Sequence, residues 1–322
     1  MKLLITGGAG YIGSHMVKHV QDEGHEVVVL DNFSTGHKWA TRDLEVLDVD
    51  LLDEINLSKA LKSYHFDGVI HFAAKSLVAE SMLYPNLYYR NNVIGSLNLI
   101  NEMIKNDINN LVFSSTAAIF GNPTTDKIDE KHPKNPINPY GRSKLIVENI
   151  LRDICSSYDF NAVCFRYFNA AGAHQSGEIG ESRDPETHLI PNILKSVLSS
   201  TSLQVFGNDY PTHDGTCIRD YVHVVDLAQA HLLGLDYINN AKGFSEFNLG
   251  SGIGFSVLDV INCCNNIVGK KVDYEINYKR KGDPAVLVAD INKAKNSLNW
   301  KPKYTNLEDI INTAWTWHKK NF

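Results

Sequence analysis

The stretch Leu3-Leu4-Ile5-Thr6-Gly7-Gly8-Ala9-Gly10-Tyr11-Ile12-Gly13 decides the fold. An aliphatic run gives way after Thr6 to Gly7, Gly10 and Gly13, and these open an amphipathic pattern over Tyr11–Glu23. A strand therefore passes through a glycine turn into a helix. The first glycine permits the tight turn, the second admits a pyrophosphate close to the backbone, and the third lets helix and strand pack. The helix N-terminus draws the anion. The next strand pattern, Glu26–Leu30, ends in Asp31, the position along the chain from which a carboxylate accepts hydrogen bonds from an adenosine ribose. Its charge repels a 2′-phosphate, so the reading is NAD rather than NADP.

Outward from this turn, short apolar runs alternate with longer amphipathic stretches, the pattern of a parallel sheet covered by helices. Strands are expected at Leu3–Thr6, Glu26–Leu30, Gly68–Phe72, Asn110–Ser114 and Ala162–Arg166, and helices near Tyr11–Glu23, Ser58–Ser63, Pro85–Lys105 and Tyr140–Ser157. Between about Gly172 and Pro191 the chain turns Gly-, Glu- and His-rich and the alternation is lost beyond. The expectation is an α/β protein: a Rossmann-like, doubly wound parallel sheet over residues 1–172, then a smaller mixed α/β substrate domain over 173–322. Phe247–Gly252 reads as one more strand and glycine turn, so the segment near 222–252 is a candidate to return to the first sheet.

Tyr140-Gly141-Arg142-Ser143-Lys144 places Tyr140 and Lys144 on one face at the start of a helix. A phenol titrates near ~10, and a neighbouring ammonium together with a positive nicotinamide favours the phenolate, which makes Tyr140 a usable base. Phe113-Ser114-Ser115-Thr116 ends the fourth strand and brings the Thr116 hydroxyl to the carboxyl edge of the sheet, where such sheets bind ligands. Thr116 is followed by Ala117 and Ala118, so no acid and base stand there to eliminate water, as a sugar-nucleotide 4,6-dehydratase requires.

With 37 Asp and Glu against 31 Lys and Arg, the chain has a formal charge of −6 and no basic block to follow a phosphate backbone. Nucleic acid is not expected as a partner. No run approaches the ~20 apolar residues of a membrane span, and the expected location is the cytoplasm. The five cysteines, at 155, 164, 217, 263 and 264, form neither a disulfide framework nor a metal spacing. Thirteen histidines include no His-Glu-x-x-His arrangement; no metal is expected, and His213, His223 and His231 read as surface or packed residues. Trp315-Thr316-Trp317, with Trp300, reads as packing of a C-terminal helix.

On these motifs, and on Val69–Ala74, Tyr88–Val93, Arg166–Ala173, Phe206–Thr212, Gly215–Asp226 and Asn248–Gly252, nearly the whole chain resembles the UDP-glucose 4-epimerases of the extended short-chain dehydrogenase/reductase family. The resemblance implies reversible interconversion of UDP-glucose and UDP-galactose through transient oxidation at C4, with tightly held NAD regenerated each cycle. It implies that Tyr140 takes the 4-hydroxyl proton, Lys144 tunes it and holds the nicotinamide ribose, and Thr116 orients the reacting oxygen. Cofactor contacts implied in addition are Tyr11, Ile12, Asp31, Asn32, Phe33, Ser34, Thr35, Gly36, Asp50, Leu51, Phe72, Ala73, Ala74, Lys75, Ser76, Asn91 and Phe168. The UDP-sugar is assigned Asn169, His188, Leu189, Gln204, Phe206, Arg219, Arg280, Asp283 and Leu287. The two arginines offer forked cations to a diphosphate, and the Phe206 ring suits stacking on uracil. Three positions depart from common family usage: Ser76 where lysine is frequent, Thr116 where serine is frequent, and Leu287 where some members carry tyrosine. Other UDP-sugar epimerases, acting on N-acetylhexosamines or uronates, and decarboxylases share these motifs, as a non-catalytic NAD-sensing protein would. A homodimer through the helices Pro85–Lys105 and Tyr140–Ser157 is the family's usual state.

Overall fold

The computed structural model describes residues 1–280 and 283–322. Strands β1 (Lys2–Thr6), β2 (Glu26–Asp31), β3 (Glu45–Asp48), β4 (Gly68–His71), β5 (Asn110–Ser114) and β6 (Asn161–Tyr167) belong to one parallel sheet. After them come β7 (Asn169–Ala171), β8 (Leu203–Phe206), β9 (Ile218–His223), β10 (Phe244–Leu249), β11 (Gly254–Ser256), β12 (Tyr274–Asn277) and β13 (Val286–Leu287). β10 joins the first sheet beside β6, giving the order β10-β6-β5-β4-β1-β2-β3.

The central strands are apolar on both faces, as a covered parallel sheet demands. On one face Leu3, Ile5, Val29, Ile70 and Val112 pack on Met16, Val17 and Val20 of the helix Tyr11–Asp22 and on Leu227 and Leu235 of Val224–Ile238. On the other, Leu4, Val28, Val69 and Leu111 pack on Leu57 and Leu61 of Glu54–Lys62, Leu99 and Met103 of Gly95–Lys105, and Val147 and Leu151 of Pro139–Ser157. A separate core, built from Ile193, Val260, Ile261, Ile310 and Ala314, joins the later helices to β7, β8 and β9. Trp315 packs against this second core, Trp317 on the same helix is buried, and Trp300 is buried in the main core.

Several elements differ from the sequence expectation. β3 was not foreseen, because its four residues form a charged-ended edge strand with no apolar run. The helix expected at Ser58–Ser63 begins at Glu54, since the Asp53 side chain caps it by accepting the Asn56 N–H. β4 stops at His71, one residue short of Phe72. The single helix expected over Pro85–Lys105 is interrupted by a π-helical turn at Tyr89–Ile94. The wider turn is accompanied by bonds from the Asn92 amide to Lys75 and Ser143, partners outside its own helix.

Candidate active site

From β1 the chain winds outward to β2 and β3, then crosses to β4, β5 and β6 on the other side. The reversal between β1 and β4 opens a crevice at their carboxyl ends, where ligands of such sheets lie. The glycine turn follows β1 directly. Gly7 has φ 71°, and a Cβ there would stand 2.6 Å from the Ala73 nitrogen; a Cβ on Gly13 would stand 2.1 Å from the Gly7 oxygen. Only hydrogen fits at both points, and the turn thereby holds the helix N-terminus against the sheet.

The cleft encloses about 620 Å³. Of the cofactor residues expected from sequence, all but Thr116 and Phe168 stand on its wall. Asp31 is buried, its two oxygens accepting the Ala9 N–H at 2.9 Å and the Phe33 N–H at 2.8 Å. Burial raises its pKa, and these two bonds pull it back. It therefore shapes the turn and the following loop while keeping lone pairs for a ribose. Asn32 donates to Asp50 at 2.9 Å, which joins the loop ends after β2 and β3. Asn92 holds the Lys75 backbone by bonds of 2.9 and 3.0 Å and reaches the Ser143 hydroxyl at 3.0 Å. Phe168, in contrast, packs in the apolar core instead of facing the cleft. Its bulk and apolarity give it a core role that sequence spacing does not reveal.

The helix Pro139–Ser157 starts where Asn138 accepts the Gly141 N–H at 2.8 Å, with proline in its first turn. That start puts Tyr140 and Lys144 on the cleft wall. Lys144 is 3% exposed; its Nζ donates to the Ser114 carbonyl at 2.7 Å and lies 4.7 Å from the Phe113 ring centre. Burial brings its pKa down to about 7. Burial raises the Tyr140 pKa, and the Thr116 hydroxyl and then the Arg183 charge pull it back. Thr116 is buried next to Tyr140, its hydroxyl accepting the Ala118 N–H at 3.1 Å.

Beneath this group lies a fully buried ion pair. Arg166 of β6 donates from Nη2 to Glu148 Oε2 at 2.7 Å and from Nε to Glu148 Oε1 at 3.0 Å, both side chains being 0% exposed. The Ser115 hydroxyl donates to the same Oε1 at 2.5 Å. Glu148 thus ties the strand end that carries Thr116 to the helix that carries Tyr140 and Lys144. Sequence gave no sign of it, since a charged residue on a strand or helix reads as surface.

The residues expected to meet a sugar nucleotide sit apart from this wall, on β7, β8, β9 and β13 and their flanks. Asn169 opens β7 and is exposed; His188 precedes the helix Leu189–Ser199, whose Leu189 packs toward the second core. The Arg280 guanidinium lies 3.9 Å from the Phe206 ring centre. Gln204 bonds Glu275 and Asn277 across the β8–β12 pair. Arg219 is not a free fork: it donates to Asp283 at 2.9 Å and to the carbonyls of Ile218 and Pro284. Leu287 stands opposite Arg219 in the β13–β9 register and is partly buried against the main core. His223 and His231 are buried and His213 is exposed. His213, Asp214 and Asp259 bring ligand atoms within 4.8 Å of one another, but Asp214 accepts from Ser256 and Thr216 and Asp259 completes a helix cap. Cleft residues that sequence reading missed include His37, Ser114, Tyr167 and Ser182 to Pro185; the last four come from a stretch without periodicity.

Residues 3–250 match the model of the NAD dependent epimerase/dehydratase family. The chain is 46% identical over 322 residues to a UDP-glucose 4-epimerase of Halalkalibacterium halodurans, covering 100% of this chain and 96% of that one. The crystal structure of UDP-glucose 4-epimerase from Brucella ovis in complex with NAD superposes with a TM-score of 0.94 at 43% identity, covering 98% and 97% of the two chains. The UDP-Glc/GlcNAc 4-epimerase of Campylobacter jejuni gives 0.85 at 41% identity, covering 99% of each. The chain belongs to the NAD dependent epimerase/dehydratase family, among its UDP-glucose 4-epimerases.

Proposed function

We propose that the chain interconverts UDP-glucose and UDP-galactose by transient oxidation at C4, using NAD that stays bound. The observation that carries this reading is the placement of Tyr140 and Lys144 on the wall of the dinucleotide cleft, with Ser114 and Thr116 at the adjoining strand end and only Ala117 and Ala118 beyond. The glycine turn fits a dinucleotide, because a Cβ at Gly7 or Gly13 would fill the space that lets the backbone close around it. Gly10, Tyr11 and Ile12 would hold its pyrophosphate, Asp31 its adenosine ribose, and Lys144 its nicotinamide ribose.

When bound, NAD would supply the acceptor for the C4 hydride and a positive charge that favours the phenolate. Tyr140 Oη receives the proton of the sugar 4-hydroxyl, and Thr116 Oγ1 holds the reacting oxygen in line. Lys144, fixed by the Ser114 carbonyl, keeps a cation within reach of that proton path. Epimerisation requires the 4-keto sugar to present its opposite face before reduction, so the chain must grip the UDP portion and leave the hexose free. Phe206, Arg219, Arg280 and Asp283 serve that grip in this reading, together with Asn169, His188 and Leu189.

Val78, Met82, Leu83, Leu87, Ile94 and Ile146 leave apolar surface exposed on the helices from Val78 to Lys105 and on Pro139–Ser157, which supports a homodimer through these helices. The five free cysteines favour a reducing compartment, the cytoplasm. Among the described residues no helix is long and apolar enough to cross a membrane. Incubating the purified protein with UDP-galactose and no added cofactor should yield UDP-glucose, and denaturation should release NAD. Absence of product, or release of NADP, would overturn the reading.

A further inference from the structure

Arg183 stands among the cleft residues that sequence reading missed, and with Glu181 it occupies a built site. Glu181 is 3% exposed, and its Oε1 lies 2.9 Å from Arg183 Nε and 2.7 Å from His188 Nδ1. A carboxylate is withdrawn from water to this extent only where charged or hydrogen-bonding partners compensate it. The backbone around it is fixed from both flanks. The Trp317 indole donates to the Glu181 carbonyl at 3.1 Å, and the His37 ring bonds the Ser182 carbonyl at 2.8 Å. Trp39 stacks on both His37 and Trp317, with ring centres 5.4 Å apart in each pair.

Arg183 stands on the cleft wall with Gly10, Tyr11 and Tyr140. With Nε engaged by Glu181, its two Nη groups have no hydrogen-bond partner among the described residues. A guanidinium held by one edge presents its other donors as a fixed fork, the geometry that suits two oxygens of a diphosphate. Burial raises the pKa of Tyr11, Tyr140 and Tyr167, and the Arg183 charge pulls all three back, which places that charge at the end of the cleft where the glycine turn and Tyr140 meet.

We infer that Arg183 binds the pyrophosphate of the dinucleotide, and that Glu181 is a positioning residue which aims Arg183 into the cleft and holds His188 on the sugar-nucleotide side. The inference rests on the proposed function for its second half only. One carboxylate oxygen then sets a group at each of the two ligand sites, so the grip on cofactor and the grip on substrate share an anchor.

The test uses the NAD-loaded protein and two readouts: the rate at which bound NAD is lost on dilution into excess NAD analogue, and the KM for UDP-galactose. Arg183→Gln should speed NAD loss about tenfold or more, since a charge-assisted bond to phosphate is removed, with KM changed less than about twofold. Arg183→Lys should recover part of the retention, having the charge without the fork. Glu181→Gln should speed NAD loss and raise KM together. If Arg183→Gln holds NAD like the parent but raises KM, the cation serves the sugar diphosphate and the assignment falls. If Glu181→Gln folds and moves neither readout, or only one, the shared anchor is wrong. A parent protein that retains NAD but does not turn over UDP-galactose would refute the proposed function while the NAD arm still reports on Arg183.

Discussion

Removing Glu148 should cost more stability than any surface change, and the structure sets the size. Glu148→Ala leaves the Arg166 guanidinium without its bidentate partner at a site where both side chains are 0% exposed. Breaking such a pair from one side costs about 3–5 kcal/mol, and the Ser115 hydroxyl, which donates to the same carboxylate, adds about 1 kcal/mol. Two features soften this: Glu246 Oε1 stands 3.9 Å from Arg166 Nη2, and the Glu130 carbonyl accepts from Nη1 at 3.3 Å. The expected loss is therefore about 3–4 kcal/mol, a large share of the ~5–15 kcal/mol that domains possess. Equilibrium urea unfolding with NAD saturating measures it. The double substitution Glu148→Leu with Arg166→Met should recover most of the loss, because it removes both charges while keeping the volume. A single-variant cost below about 1 kcal/mol, or a double variant no better than Glu148→Ala, would refute the account of the pair as mutually dependent buried charges.

Tyr140→Phe should keep fold and bound NAD and lose about 10²–10⁴-fold in turnover, the usual cost of a lost general base; an unimpaired rate sinks the proton path. His15, His71, His223 and His231 are buried, with pKa values brought down to between about 3 and 4, chiefly by desolvation. Each contributes stability that is present above the unfolded value near ~6.5 and is lost as pH falls toward the folded value. The urea midpoint should therefore drop between about pH 6.5 and 4, and a flat profile there contradicts the burial argument. Leu287→Tyr should depress activity on N-acetylated UDP-hexoses selectively, by about 10–200-fold in kcat/KM, while Leu287→Ser should raise it. An unmoved ratio between the two sugars in both variants places Leu287 away from the hexose.

What sequence made legible was whatever local pattern controls. The glycine turn, the alternation of strand and helix, and the Tyr140–Lys144 spacing depend on neighbours a few residues away, and they led to the cleft wall. What escaped depended on contacts between distant segments. β3 is a strand because β2 lies beside it, not because Glu45–Asp48 is apolar. Arg166 and Glu148 pair across 18 positions in a place where no solvent reaches. The Lys144 ammonium donates to a carbonyl 30 residues earlier, a contact that spacing on a helix cannot decide. The stretch around Glu181 and Arg183 has no period, so its position over the cleft is a product of tertiary docking by Trp317 and His37.

The π-helical turn at Tyr89–Ile94 makes chain length, more than residue identity, the sensitive quantity in that helix. A single extra residue is what distinguishes such a turn from regular α-helix, and each residue advances the helix by about 100°. Deleting one position would restore an unbroken α-helix and look harmless by propensity. It would also swing Asn92 through roughly a quarter turn, away from the Lys75 backbone at 2.9 Å and from Ser143 at 3.0 Å on the neighbouring helix. Point changes on the outer face of this segment can drift freely, whereas insertions and deletions would uncouple the loop after β4 from the helix bearing Tyr140. The irregularity thus acts as a spacer whose length is counted in single residues.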